Sequence, residues 1–248
     1  MNVVEIIFSP TGGTQKVAHL IGKHWSDNTV TIDLSDAKTD FSKCAISSED
    51  QVLVAMPSYG GRAPAAAMER MKQIPGNSAN CTLVCVYGNR AYEDTLVEME
   101  DAAKRCGFRV IAAVAAVAEH SIIPQYAAGR PDASDELQLA AFAAQIASKD
   151  SELTSLPGNR PYKKAGGAGL VPKVTRDCVK CGLCAEKCPV QAIDAASFVA
   201  DPKTCISCMR CVRQCPQSAR KVSGAMVSIA AMAIKKACSV RKSNELYL

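Results

Sequence analysis

Two four-cysteine runs near the end of this 248-residue chain constrain its folding more than any other feature. The first reads Cys178-x-x-Cys181-x-x-Cys184-x-x-x-Cys188-Pro189 and the second Cys205-x-x-Cys208-x-x-Cys211-x-x-x-Cys215-Pro216. A cubane iron–sulfur cluster needs four thiolates converging on one inorganic core. A tight Cys-x-x-Cys-x-x-Cys loop supplies three of them, and a remote Cys followed by Pro supplies the fourth from the other half. On that logic Cys178, Cys181, Cys184 and Cys215 hold one [4Fe–4S] cluster, and Cys205, Cys208, Cys211 and Cys188 hold the second. Structural zinc also takes paired cysteines, but it closes with four ligands and has no use for two identical runs that each end in Cys-Pro. The remaining cysteines, Cys44, Cys81, Cys85, Cys106 and Cys238, read as packing residues.

Composition narrows the setting. Thirteen cysteines without an export signal point to a reducing, cytoplasmic setting and to metal rather than disulfides. No apolar run approaches the ~18 residues of a membrane span, so none is expected. The net charge of +5 is uneven. Residues 1–160 carry 14 Lys and Arg against 19 Asp and Glu, whereas residues 161–248 carry 15 against 5. The basic half lacks the aromatic interleaving and binding-helix pattern of a nucleic-acid surface. Thiolate-ligated clusters offset part of its charge, and the rest favours docking to the acidic half or to an acidic redox partner. Nothing in the composition decides between a monomer and a homodimer.

Residues 1–150 alternate strand and helix signals. Strands are expected over 3–8, 29–34, 51–56, 81–87 and 109–118, with helices over 13–25, 64–73, 92–106 and 133–148. The last helix is expected to turn Leu137, Ala140, Ala141 and Ala144 to one apolar face. Such alternation calls for a parallel sheet covered on both faces, in Rossmann or flavodoxin order. Residues 151–170, with Pro157-Gly158 and Gly166-Gly167-Ala168-Gly169, read as a linker. A compact cluster domain follows over 171–220, too small to build a core without its clusters. Residues 221–248 give a helix and tail, with Met226, Ile229, Ala233 and Ile234 on the helix's apolar face.

The loop after the first strand, Ser9-Pro10-Thr11-Gly12-Gly13-Thr14, aims backbone amides and hydroxyls at the positive end of a helix, which makes a phosphate cradle. It has neither the Lys of a nucleoside triphosphate loop nor the three spaced glycines of a dinucleotide fingerprint. Together with Pro57-Ser58-Tyr59-Gly60-Gly61-Arg62 and Tyr87-Gly88-Asn89-Arg90-Ala91-Tyr92-Glu93, it resembles the three ligand loops of the flavodoxins. The resemblance implies FMN. Ser9, Thr11, Gly12, Gly13 and Thr14 would hold its phosphate, and Pro57 to Gly61 would line its ring. Gly88, Asn89 and Arg90 would lie at its polar edge, with Tyr92 stacked on its face. His120, Ser121 and Arg62 are further residues within reach of such a pocket.

The cysteine runs in turn closely resemble the bacterial two-cluster ferredoxins. Taken together, the two halves resemble the flavodoxin-domain ferredoxins over nearly the whole chain. That resemblance implies a flavodoxin-like five-stranded parallel sheet, order 2-1-3-4-5, followed by a small α+β two-cluster domain. The expected function is electron transfer between two [4Fe–4S] clusters and FMN, to or from a partner redox enzyme. Two alternatives stay open. One is an FMN-dependent reductase with its own quinone or enone substrate, and the other a low-potential activator of a corrinoid or radical enzyme.

Overall fold

The computed structural model describes residues 2–166 and 169–248; Gly167 and Ala168 of the expected linker lie outside the described residues. Five strands, β1 (Val3–Ile7), β2 (Thr29–Asp33), β3 (Gln51–Pro57), β4 (Asn80–Tyr87) and β5 (Arg109–Val117), run parallel in the order 2-1-3-4-5. This is the flavodoxin order, and its direction reverses between β1 and β3. Four helices cover the sheet: α1 (Gly13–Gly22), α2 (Ala65–Met71), α3 (Thr95–Arg105) and α4 (Ala133–Ala147). Residues of β1, β3, β4 and β5 are buried on both faces, as the interior of a parallel sheet requires, while the edge strand β2 is partly exposed. Val4, Ile6, Val54, Leu83 and Cys85 join Met68, Met71, Leu96 and Met99 on one side. Ile7, Leu53, Val84 and Val114 join Val17, Ile21, Leu139 and Ile146 on the other. Cys81 and Cys85 are fully buried among these residues.

Three expectations need correction. The first concerns α4, whose expected face points outward: Leu137 is 76% exposed. The buried face is Asp135, Leu139, Ala143 and Ile146. An alanine-rich helix carries little amphipathic contrast, and here a charged residue decides the matter. Asp135 is drawn inside by a two-pronged bond to buried Arg130, with Nε at 2.8 Å from Oδ2.

Second, the tail supplies a sixth strand. After β6 (Lys173–Val174), α5 (Leu183–Glu186), α6 (Arg210–Arg213), β7 (Arg220–Lys221) and α7 (Gly224–Cys238), the chain returns as β8 (Glu245–Tyr247). It pairs antiparallel with β5 through Ala113–Tyr247, Val114–Leu246 and Ala115–Glu245. Three residues are too few for a period-2 pattern to show. Asn244 fastens this strand, accepting from Val117 N at 2.9 Å and donating to Gln138 at 2.9 Å and Asp135 at 3.1 Å.

Third, the described part of 151–170 is no free linker. Asp94 accepts from Asn159 N at 2.8 Å and Lys163 N at 2.7 Å, and Arg160 bonds Asp101 and Glu100. The segment is a strap laid along α3. With two backbone amides held by one carboxylate, Asp94→Ala should speed limited proteolysis within residues 157–166 several-fold while the sheet keeps its unfolding midpoint. Mass spectrometry of the cleavage products checks this.

Glu5 stands out in the core. It is 2% exposed on the α1 face of β1, and its Oε1 has no hydrogen-bond partner among the described residues. Desolvation raises its carboxyl above the ordinary glutamate value, against a smaller opposing pull from His19. Native Glu5 therefore keeps its proton to a higher pH than the unfolded chain does. Stability falls as pH rises from the ordinary glutamate range through the raised native value. Glu5→Gln should flatten that fall and add about 1 kcal/mol at neutral pH, measured by urea unfolding through Trp25 fluorescence.

Candidate functional site

The carboxyl ends of β1, β3, β4 and β5 open onto one cavity of about 680 Å³ at the point where the strand order reverses. Its walls include Thr11, Gly13 and Thr14 from the first loop, Pro57 to Gly60 from the second, and Gly88 and Arg90 from the third. His120 to Ile123 close one side, Ala230, Ala233 and Ile234 of α7 form a roof, and Cys205, Ile206 and Ser207 complete the wall. A segment carrying a cluster cysteine thus shares a cavity with the three loops.

The first loop is shaped for an anion. Gly12 at φ +94° turns the chain into α1, whose start has no side-chain cap. Ser9 Oγ accepts from Gln15 N at 2.9 Å, while the Gly13 and Thr14 amides make no hydrogen bond among the described residues. These are orphan donors of a helix start, aimed by the turn. In the second loop Tyr59 and Arg62 pair across Gly60–Gly61, both at positive φ. The turn is locked by Glu98, which takes Arg62 at 2.6 and 2.7 Å and Ala63 N at 3.0 Å. Arg62 also lies over the Tyr162 ring at 4.8 Å. Arg62 is therefore a brace between loop, α3 and strap.

Five of the expected ligand-loop residues, Ser9, Gly12, Gly61, Asn89 and Tyr92, do not line the cavity. Ser9 and Gly12 face a smaller hollow of about 260 Å³ beside Arg210 and Arg213. Gly61 is covered by Glu93, whose carboxylate would meet any Cβ there. Asn89 does not reach a ligand edge. Buried at φ +64°, it donates to Cys238 O at 3.1 Å and Val240 O at 2.9 Å and accepts from Lys242 N. Tyr92 does not stack in the cavity either. Its hydroxyl bonds Glu245 at 2.8 Å and Tyr247 at 2.6 Å, and its ring meets Tyr87 edge-on. Both residues were claimed by the returning tail, whose docking the sequence did not announce.

His120 does line the cavity. Its Nδ1 accepts from Ile122 N and Ile123 N at 3.2 Å, which leaves the proton of the neutral ring on Nε2. Burial keeps it neutral by pulling its pKa below the usual histidine value. Arg90 is paired with Glu93 at 2.9 Å, and that contact lowers the Glu93 carboxyl.

The cysteines of the two runs gather in two neighbouring places, and Cys184 belongs to both. Cys178, Cys181, Cys184 and Cys215 rim one hollow together with Val179, Phe198 and Arg220. Cys188 packs with Cys184, Cys205 and Cys211 around Ala192 and Ile193. Among the described residues no group of three or more His, Cys, Asp or Glu side chains is gathered closely enough to hold a metal ion. Arg220 supplies the test of fit. This guanidinium is 2% exposed, borders the first hollow, and has Nε and Nη2 without partners among the described residues. A buried cation of this kind needs anionic neighbours, which thiolate-ligated clusters provide.

Residues 171–194 and 198–221 match the 4Fe-4S binding domain family. The chain joins a flavodoxin-like fold to an iron–sulfur ferredoxin domain. That pairing assigns it a redox, electron-transfer role. No curated protein matches the chain. Among solved structures, a rubredoxin oxygen:oxidoreductase from Desulfovibrio gigas aligns at 16% identity and TM-score 0.45, over 59% of this chain and 35% of that one. This chain thus spans about a third of that relative. Flavodoxin 1 from Bacillus cereus aligns at 16% identity and TM-score 0.41, over 59% and 97%. An NADH:FMN oxidoreductase aligns at 17% and 0.44, over 61% and 91%. The fold assignment rests on the strand order, not on these distant likenesses. No described helix is long and apolar enough to cross a membrane.

The Glu98 lock predicts a loop phenotype. Glu98→Ala leaves a mostly buried Arg62 unpaired and should destabilise the protein by about 3 kcal/mol. The double variant Arg62→Met/Glu98→Leu should recover most of that, as denaturant midpoints would show.

Proposed function

We propose that the chain is an electron carrier in which two [4Fe–4S] clusters and one FMN form a single internal relay serving a partner redox enzyme. The observation that carries this reading is the common wall: Cys205, Ile206 and Ser207 border the same cavity as the three flavodoxin-like loops. FMN supplies a centre that exchanges one or two electrons, where iron–sulfur clusters exchange one.

The chain's own residues fit that division. Gly13 and Thr14 would receive the phosphate on free amides, with the hydroxyls of Thr11 and Thr14 beside them. Pro57, Ser58, Tyr59 and Gly60 would line the ring, and Gly88, Arg90 and the neutral His120 its polar edge. Ala230, Ala233 and Ile234 of α7 would set an apolar edge against the ring. Cys178, Cys181, Cys184 and Cys215 would hold one cluster, and Cys205, Cys208, Cys211 and Cys188 the other. Burial pushes the free Cys208 thiol up to about 12 and Cys211 to about 11, so loading iron must displace their protons.

Anaerobically prepared protein should contain about eight irons and one FMN per chain. It should show no steady turnover of quinones or enones without an added partner protein. Absent flavin, or about four irons or fewer, would sink the reading. Sustained quinone reduction without a partner would replace it with the reductase. Arg90→Glu should lower the flavin potential by about 30 mV or more, equivalent to about 1.4 kcal/mol for two electrons. Redox titration measures this.

A further inference from the structure

The two cysteine sets are not equivalent in position. Cys205 lines the flavin-loop cavity, and Cys208 and Ser207 beside it are buried. No cysteine of the other set lines that cavity. That other set lies outward: Cys181 is exposed, and Val179 next to its hollow is 62% exposed. Cys184 connects the two, since it rims the outer hollow and packs against the cluster of side chains around Cys188, Cys205 and Cys211.

The outer face is also basic. Lys173, Arg176, Lys180 and Lys221 are exposed there, on β6, β7, the loop into Cys178 and the turn between Cys178 and Cys181, and none forms an ion pair among the described residues. Few acids oppose them. Glu186 is engaged by Lys38 and Lys187, and Asp194 and Asp201 are occupied in capping their own turns. Asp177 is held by Thr175.

Resting on the cofactor set proposed above, we propose that this outer face is where an acidic one-electron iron–sulfur protein docks. The cluster of Cys178, Cys181, Cys184 and Cys215 is then the entry point, and that of Cys188, Cys205, Cys208 and Cys211 the exit to the flavin. One electron leaves the reduced partner, which is oxidised by one equivalent, and the outer cluster is reduced by one. The same electron then passes inward, and no bond or proton moves in the docking step. Charge complementarity steers the encounter, so its rate depends on salt.

The test uses the holoprotein and a purified, dithionite-reduced acidic [4Fe–4S] ferredoxin as probe, mixed anaerobically in a stopped-flow instrument. Lys173→Glu/Arg176→Glu/Lys221→Glu should slow the second-order reduction about tenfold or more. The wild-type rate should fall steeply between about 50 and 500 mM salt. Photoreduced 5-deazariboflavin, a small neutral donor, should reduce both proteins at one rate. Lys180→Gln is the milder second variant and should slow the probe several-fold. Lys235→Glu/Lys236→Glu on α7 should leave the rate unchanged. A triple variant reduced by the probe as fast as wild type, a salt-independent rate, or a loss confined to the α7 variant would each overturn the proposal. Absent flavin or iron would instead refute the cofactor reading, and is measured on the same samples beforehand.

Discussion

The two proposed clusters need eight thiolates to converge from two halves of one short segment, and that demand would shape the C-terminal third of the chain. In the proposed scheme each cysteine triplet would be completed by the cysteine of the opposite run, so that the two repeats interlock instead of standing side by side. Around them there is little ordinary core: Ala192, Ile193 and Ala200 are among the few buried apolar residues. Arg220 is buried at the same place with unused donors. On the proposed reading, a segment so poor in apolar area would draw its stability from metal, and its folding and loading would be one process.

Docking of this segment onto the sheet domain follows from polar contacts at the switch point. Arg70 of α2 donates to Leu34 O at 2.6 Å and to Pro189 O at 2.5 Å, while Arg210 of α6 stands 3.8 Å from Asp33 at the end of β2. The acidic half meets the basic half here. The strap along α3 and the returning β8 hold the connection from two further sides. Asp94 holds two backbone amides of the strap, and Asn244 ties one amide of β5 to the side chains of Asp135 and Gln138. The result is that a cluster-bearing loop becomes one wall of the cavity above the parallel strands.

Much of this arrangement is legible in the sequence because it is written in local spacing. Ligand intervals around Cys178–Cys215 show directly, as do the Gly12–Gly13 turn after a short apolar strand and the regular strand–helix alternation. What escapes is decided by contacts between distant segments. Asn89 and Tyr92 sit at positions that invite a ligand role, yet residues some 150 places later occupy their hydrogen bonds. Asp135 turns α4 to the opposite face through Arg130, a polar pairing that hydrophobic periodicity does not register. Residues 157–164 look like a spacer from composition, and only the acids of α3 reveal them as a strap. In each case the missing information is the identity of the partner, not the propensity of the residue.

The central claim is that the clusters and the flavin form one relay inside one chain, because they share a wall. Laser-flash reduction of the clusters, followed by absorbance of the flavin, tests it directly. The account predicts flavin reduction with a first-order rate constant that stays the same when protein concentration is varied about tenfold. A rate that scales with protein concentration would mean that electrons cross between molecules, and would contradict the relay.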